Sequence, residues 1–162
     1  MRILITGAFG QLGFALNDVL SDKFDVIRTG RVIPSGLKGI GLNIQDKIYL
    51  NEVIAATSPD LIINLAAMTN VDACEKNPEI AKEVNIAGFQ HICDSFKGKI
   101  IQLSTDYVFD GTKNEPYSEN DKPNPLQVYG KSKLKGELFI QDTNITGFII
   151  RTSWVYGNHG NE

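Results

Sequence analysis

The sequence predicts an α/β fold: a doubly wound parallel sheet with helices on both faces. Three observations carry this expectation. Strand and helix signals alternate along the 162 residues. The strand segments are apolar throughout, as in sheets covered on both sides. The first of them, Ile3-Leu4-Ile5, runs into three glycines spaced three apart, Gly7, Gly10 and Gly13, and a helical pattern follows at once.

Each element has its own signal. After the glycines, Leu12, Ala15, Leu16, Val19 and Leu20 recur at the spacing of one helix face. Residues 24–28 read as the second strand. Residues 29–45 hold Gly30, Pro34, Gly36, Gly39 and Gly41 and read as loop. Leu50, Val53 and Ile54 mark a second helix, closed before Pro59. Residues 60–65 form a buried strand. Asn77-Pro78 opens the next helix as cap and first-turn proline, and Ile80, Val84, Ala87 and Ile92 carry it onward. Residues 99–103 are a strand ending in Ser104-Thr105. Residues 110–125, rich in Gly, Pro, Asn and Asp, form a long loop; Asp110-Gly111 reads as a turn within it. A helix covers 127–142, and 147–151 is the last strand.

Composition narrows the function. Hydrophobic residues make up 42% and charged ones 22%, which argues against disorder. The net charge is −3 and no basic block stands out, so a nucleic-acid partner is not expected. Cys74 and Cys93 lack metal-ligand spacing and read as reduced thiols. His91 and His159 read as packing or surface residues, and no metal site is expected. No apolar run approaches the ~20 residues of a membrane span. The first apolar run is too short for a signal peptide. The expectation is a soluble cytoplasmic protein with no membrane partner.

In such sheets ligands bind beyond the carboxyl ends of the strands. Polar residues collect there: Gly7 after one strand, Ala66-Ala67-Met68-Thr69 after another, Ser104-Thr105-Asp106 after a third and Thr152-Ser153-Trp154 after the last. A glycine turn lets a ligand approach the backbone, and the helix behind it offers free N–H groups and a positive dipole end to a pyrophosphate. Tyr129 and Lys133 stand four apart on a helix and share a face. A free phenol has a pKa of about 10. An adjacent ammonium favours the phenolate and is expected to lower that value, giving a tuned general acid.

Glycine turn, strand-end Ser/Thr and Tyr-x-x-x-Lys, in that order, resemble the extended short-chain dehydrogenase/reductase family. The resemblance runs over the whole chain. It is carried by residues 5–13, by Asn-Leu-Ala-Ala-Met-Thr-Asn-Val-Asp-Ala-Cys-Glu (64–75), by Ser-Thr-Asp-Tyr-Val-Phe-Asp-Gly (104–111), by Tyr-Gly-Lys-Ser-Lys-Leu-Lys-Gly-Glu (129–137) and by Arg-Thr-Ser-Trp-Val-Tyr-Gly (151–157). Among its members the chain is most similar to reductases of dTDP-linked 4-keto-6-deoxy sugars.

The resemblance implies a Rossmann-like fold and the following roles. Gly7, Gly10 and Gly13 shape the cofactor turn, and Gly10, Gln11 and Leu12 hold the pyrophosphate. Asn43 and Ile44 lie near the adenine, and Ala66, Ala67 and Met68 along the middle of the cofactor. Thr105 bonds the ketone oxygen, Tyr129 protonates it, and Lys133 holds the nicotinamide ribose and tunes Tyr129. Asp106 and Trp154 touch the dTDP-sugar substrate. Asn85 resembles a helix asparagine that supports the active site. The family often has His in place of Met68 and an acid in place of Asn43. No acid closes the second strand to grip an NAD ribose. Arg28 and Arg31 stand there instead, so NADPH is the expected cofactor, with NADH the alternative. Family members run to nearly twice this size, so residues 1–162 are expected to be a nucleotide-binding domain truncated before a substrate-binding lobe. A homodimer is the oligomer this reading allows. Two other readings stay open: another sugar-nucleotide reductase or epimerase of the same fold, and a non-catalytic NADP-binding subunit like the regulatory subunit of methionine adenosyltransferase.

Overall fold

Six parallel strands form one sheet in the order β3-β2-β1-β4-β5-β6. The structure is a computed structural model that describes residues 1–142 and 145–157; His159 lies outside the described residues. The strands are β1 (Arg2–Thr6), β2 (Asp25–Gly30), β3 (Ile40–Gly41), β4 (Leu61–Asn64), β5 (Lys99–Thr105) and β6 (Gly147–Thr152). The helices are α1 (Gln11–Leu20), α2 (Lys47–Thr57), α3 (Val71–Lys76), α4 (Pro78–Lys82), α5 (Phe89–Ser95) and α6 (Val128–Asp142). This is the strand order of the Rossmann fold, which winds outward in both directions from a central switch point. Here the reversal falls between β1 and β4.

The apolar strands divide residue by residue between two cores. Leu4, Ile62 and Ile100 point to one face, where they meet Leu50, Val53 and Ile54 of α2, Phe89 and Ile92 of α5 and Ile140 of α6. Ile3, Ile5 and Ile63 point to the other, where Leu16 and Leu20 of α1 pack on them. Alternation of side chains along a strand makes each continuous apolar run serve both layers.

Five elements depart from the pattern read in the sequence. Strand β2 runs on through Thr29 and Gly30, which pair with the two-residue β3 inside the stretch expected to be loop. So short a strand has no side-chain periodicity to announce it. Helix α3 is capped by Asn70, whose Oδ1 accepts the Ala73 N–H at 2.8 Å. Pro78 does occupy the first turn of α4, but Asn77 makes no side-chain cap. Its amide turns back to the Ala73 carbonyl of α3 at 3.3 Å. The helix expected to run on from Asn77 is divided: a π turn, Glu83–Gly88, separates α4 from α5. Such turns widen the helix locally and gather at functional sites. This one carries Asn85, whose buried amide is hydrogen-bonded on both its oxygen and its nitrogen.

No helix among the described residues is long and apolar enough to cross a membrane. Cys74 and Cys93 are both buried free thiols.

Candidate functional site

A cleft of about 760 Å³ lies over the carboxyl ends of the strands at the switch point. The three glycines at its floor have different tasks. Gly7 sits at φ +66°, and a Cβ there would lie 2.8 Å from the Ala66 nitrogen, so the turn after β1 and the end of β4 touch backbone to backbone. At Gly13 a Cβ would lie 2.5 Å from the Ala8 backbone, so α1 seats tightly on the turn. Gly10 is exposed, and a Cβ there would meet only the Gly7 oxygen at 3.4 Å. Gly10 also caps α1 without a side chain, and no acidic residue stands in the helix's first turn. The N–H groups at the start of this ten-residue helix are therefore bare and unopposed by negative charge. A pyrophosphate fits such a cradle.

The walls bring most of the expected residues together. Gln11, Leu12, Asn43, Ile44, Ala66, Ala67 and Met68 line the cleft. The Asn43 side chain accepts the Gln45 N–H at 3.2 Å, which shapes the local turn. Thr105, Asp106, Tyr129, Lys133 and Trp154 line the same cleft. Trp154 stands at the mouth, 76% exposed and at φ +49°. Arg28 is a correction. It lies over the Phe9 ring, 5.4 Å from the centroid, and does not line the cleft. Arg31 does, because it follows the last residue of β2 and so stands beyond the strand's carboxyl end.

Thr105, Tyr129 and Lys133 come from distant parts of the sequence. Thr105 closes β5; its hydroxyl accepts the Tyr107 N–H at 3.2 Å and donates to Asp106 Oδ1 at 3.0 Å. The next residues, Asp106–Val108, make a 3-10 turn that places the Tyr107 ring edge-on to Tyr129 at 5.8 Å. A hydrogen-bonded chain holds Tyr129 from the opposite side. The Met68 N–H donates to Asn85 Oδ1 at 2.8 Å, Asn85 Nδ2 donates to Ser132 Oγ at 2.9 Å, and Ser132 Oγ donates to the Tyr129 carbonyl at 2.7 Å. Asn85 thereby links the cleft wall after β4 to the helix that carries Tyr129 and Lys133.

Electrostatics revise one expectation. Burial pushes the Tyr129 phenol up, and the neighbouring Thr105 hydroxyl only opposes the rise. Desolvation of the phenolate sets the direction, the reverse of the lowering expected from the Tyr129–Lys133 spacing. Lys133 is itself buried, and burial brings its ammonium down to about 8, with the Glu137 charge pulling the other way.

A buried cation that serves function rather than packing carries a stability cost. Lys133→Met is expected to stabilise the ligand-free protein by about 1–3 kcal/mol at neutral pH. The sign follows from the folded value of about 8 lying below the ordinary 10.5. Below about 8 the wild type bears the whole cost. From there to 10.5 only the unfolded chain keeps the proton, so wild-type stability rises with pH. The advantage of the variant should shrink across that window in thermal melts; a constant difference would contradict it.

Three residues at the site had no assigned role in the sequence reading. Glu75 of α3 accepts the Val128 N–H at 2.6 Å and so caps α6 one residue before Tyr129. Gly130 lets α6 touch the 3-10 turn, since a Cβ there would overlap the Tyr107 carbonyl oxygen. Glu137 is 1% exposed and collects Ser104 and Arg151. Only Gly130 leaves a local trace: a glycine within a helix costs about 1 kcal/mol and calls for a packing reason. The others act over 14 to 53 residues of sequence.

The family described as RmlD substrate binding domain matches residues 1–162. The chain belongs to this family. It is 40% identical over 163 residues to the dTDP-4-dehydrorhamnose reductase of Aggregatibacter actinomycetemcomitans, covering 99% of this chain and 53% of that protein. Among solved structures, it resembles a dTDP-4-dehydrorhamnose reductase from Clostridium acetobutylicum at a TM-score of 0.88 and 39% identity, covering 99% of this chain and 56% of the other. A dTDP-4-dehydrorhamnose reductase from Bacillus anthracis, solved in complex with NADP, superposes at a TM-score of 0.89 with 35% identity and the same coverage. The chain spans about half the length of the curated relatives it matches. The family match extends over every element of the sheet and over all the cleft-lining segments.

Proposed function

We propose that this chain is the nucleotide-binding part of an NADPH-dependent reductase that converts the 4-keto group of dTDP-4-dehydro-L-rhamnose to the hydroxyl of dTDP-L-rhamnose. The observation that carries the reading is the meeting of Thr105, Tyr129 and Lys133 in one cleft with the bare N-terminus of α1. The names of the relatives support the substrate and the cofactor.

The N–H groups of Gln11 and Leu12 hold the pyrophosphate; Gly10, whose own N–H is given to the Gly7 carbonyl at 3.1 Å, contributes the side-chain-free approach, and Ala66, Ala67 and Met68 wall the cofactor's middle. Reduced nicotinamide, when bound, supplies the hydride. Thr105 orients the ketone by turning its hydroxyl proton from Asp106 Oδ1 onto the ketone oxygen. Tyr129 donates its phenolic proton to the carbonyl oxygen as that oxygen gains charge. Because burial keeps the phenol protonated, it enters the reaction in the form an acid needs. Lys133 places a positive charge beside the developing phenolate and holds the ribose. Asp106 and Trp154 face the sugar nucleotide.

Residues 1–162 alone are expected to keep NADPH binding better than turnover, so the test mixes the full-length protein that contains them with NADPH and a panel of keto-sugar nucleotides, following the absorbance of the reduced cofactor. Oxidation with the dTDP-4-keto-6-deoxy sugar is expected. Tight NADPH binding with no turnover of any sugar would point instead to a nucleotide-binding subunit.

Cofactor choice rests on Arg31. An arginine paired with the extra phosphate contributes a charge-assisted contact of about 1.5–3 kcal/mol. Arg31→Ala is therefore expected to weaken NADPH binding at least about tenfold while sparing NADH. Arg28→Ala, which removes only the stacking on Phe9, should change the ratio of the two dissociation constants little. Equal losses for both cofactors in Arg31→Ala would refute the assignment.

A further inference from the structure

Beneath the reactive cleft lies a carboxylate that no step above uses. Glu137 is on α6, one turn past Lys133, and is 1% exposed. Its Oε1 accepts from Ser104 Oγ of β5 and from Arg151 Nε at 3.0 Å; its Oε2 accepts from Arg151 Nη2 at 2.6 Å. Ser104 immediately precedes Thr105, and Arg151 immediately precedes Thr152 at the end of β6. One side chain therefore ties the helix bearing Tyr129 and Lys133 to the two strands whose ends form the rest of the site. A buried ion pair seldom adds net stability over apolar packing, so its presence asks for another reason.

We propose that Glu137 is a positioning residue of the active site: it fixes α6 against the ends of β5 and β6 and supplies the counter-charge to Lys133. The proposal rests on the reductase reading only for what Lys133 does in turnover. No direct hydrogen bond joins the two side chains among the described residues, and Glu137 acts on the ammonium through space. The other ionisable groups around the same space are Tyr129 of α6 and Asp106 and Tyr107 of the 3-10 turn, with the buried Cys74 of α3 close enough for its charge to act on Tyr129. Arg151, the remaining cation, is engaged by the same carboxylate through both of its oxygens. Glu137 thus stands between two cations, one paired with it and one left facing the cleft.

The test is an NMR titration of the Lys133 Cε signal in the protein without substrate, so its outcome does not depend on any reductase activity. In the wild type the midpoint is expected at about 8. Glu137→Gln keeps the shape and removes the charge, and should lower the midpoint by about one unit or more. Glu137→Asp restores the charge and should recover most of that shift. An unchanged midpoint in Glu137→Gln overturns the proposal. Should that variant fail to fold, Arg151→Lys decides: it loosens the two-pronged pairing, frees the carboxylate toward Lys133, and should raise the midpoint. A midpoint that stays or falls in Arg151→Lys overturns the proposal equally.

Discussion

Tyr129→Phe is expected to reduce turnover by about a hundred- to ten-thousandfold, the contribution of a positioned general acid. NADPH affinity should remain as in the wild type, because the proposed mechanism assigns the lost hydroxyl to the ketone and the ring still packs against Tyr107. A variant that turns over as fast as the wild type removes Tyr129 from the mechanism. The pH profile of kcat/KM adds a second check. Tyr129 is pushed above the ordinary phenol value, whereas Lys133 is held at about 8. The alkaline limb should therefore begin near 8, where Lys133 loses its proton, and not at the higher value of the phenol. In Tyr129→Phe the residual activity should keep the same limb, since the lysine is untouched.

Gly130→Ala is the second change with a large expected effect, although it adds a single methyl group. That methyl would overlap the Tyr107 carbonyl oxygen, with Pro125 Cβ 3.1 Å away on the other side. Both obstacles are held: Tyr107 belongs to the 3-10 turn, and the Val108 carbonyl that follows accepts the Asn124 N–H at 2.9 Å. The helix must therefore move, and overpacking of this kind costs about 1–3 kcal/mol. Normally alanine in place of glycine within a helix gains up to about 1 kcal/mol, so the sign of the measured change is itself the test. Because Tyr129 is the adjacent residue, kcat should fall well beyond what the loss of stability explains. A stabilised Gly130→Ala with full activity would show that α6 does not depend on this close approach.

The loop of residues 110–125 illustrates how a turn read in the sequence becomes more than a turn. At Asp110-Gly111 the chain bends, with Gly111 at φ +74°, and the bend is closed by a side chain: the Asp110 carboxylate accepts from Thr112, the Tyr117 hydroxyl and Asn124. These bonds hold its pKa far below the usual carboxylate range. Phe109 and Tyr117 stack at 4.2 Å beside them. The residue types announced a loop; only the fold shows which carboxylate gathers it.

Much of the fold was legible because its causes are local. Apolar runs such as Ile3-Leu4-Ile5 have one comfortable place, a strand covered on both faces. Gly7 and Gly13 belong to a turn that approaches other backbone. The Tyr129–Lys133 spacing is fixed by the pitch of one helix. What could not be read had causes elsewhere in space. The two residues of β3 are a strand only because β2 lies beside them. The π turn is where Asn85 reaches Met68 and Ser132, neither of them near it in sequence. Arg28 and Arg31 differ by three positions, and only the end of β2 decides which of them stands over the cleft.

The amino-acid sequence by itself determined the alternation of strands and helices and the glycine turn, and it singled out Thr105, Tyr129 and Lys133 as the candidate side chains, because periodicity, backbone freedom and functional-group chemistry belong to short segments. Tertiary structure alone decided the proton state of those side chains and what holds them in place. Burial raises Tyr129 and lowers Lys133, while Glu75, Gly130 and Glu137 pin the helix that carries both. Desolvation and long-range contact are properties of the packed interior, and no short segment contains them.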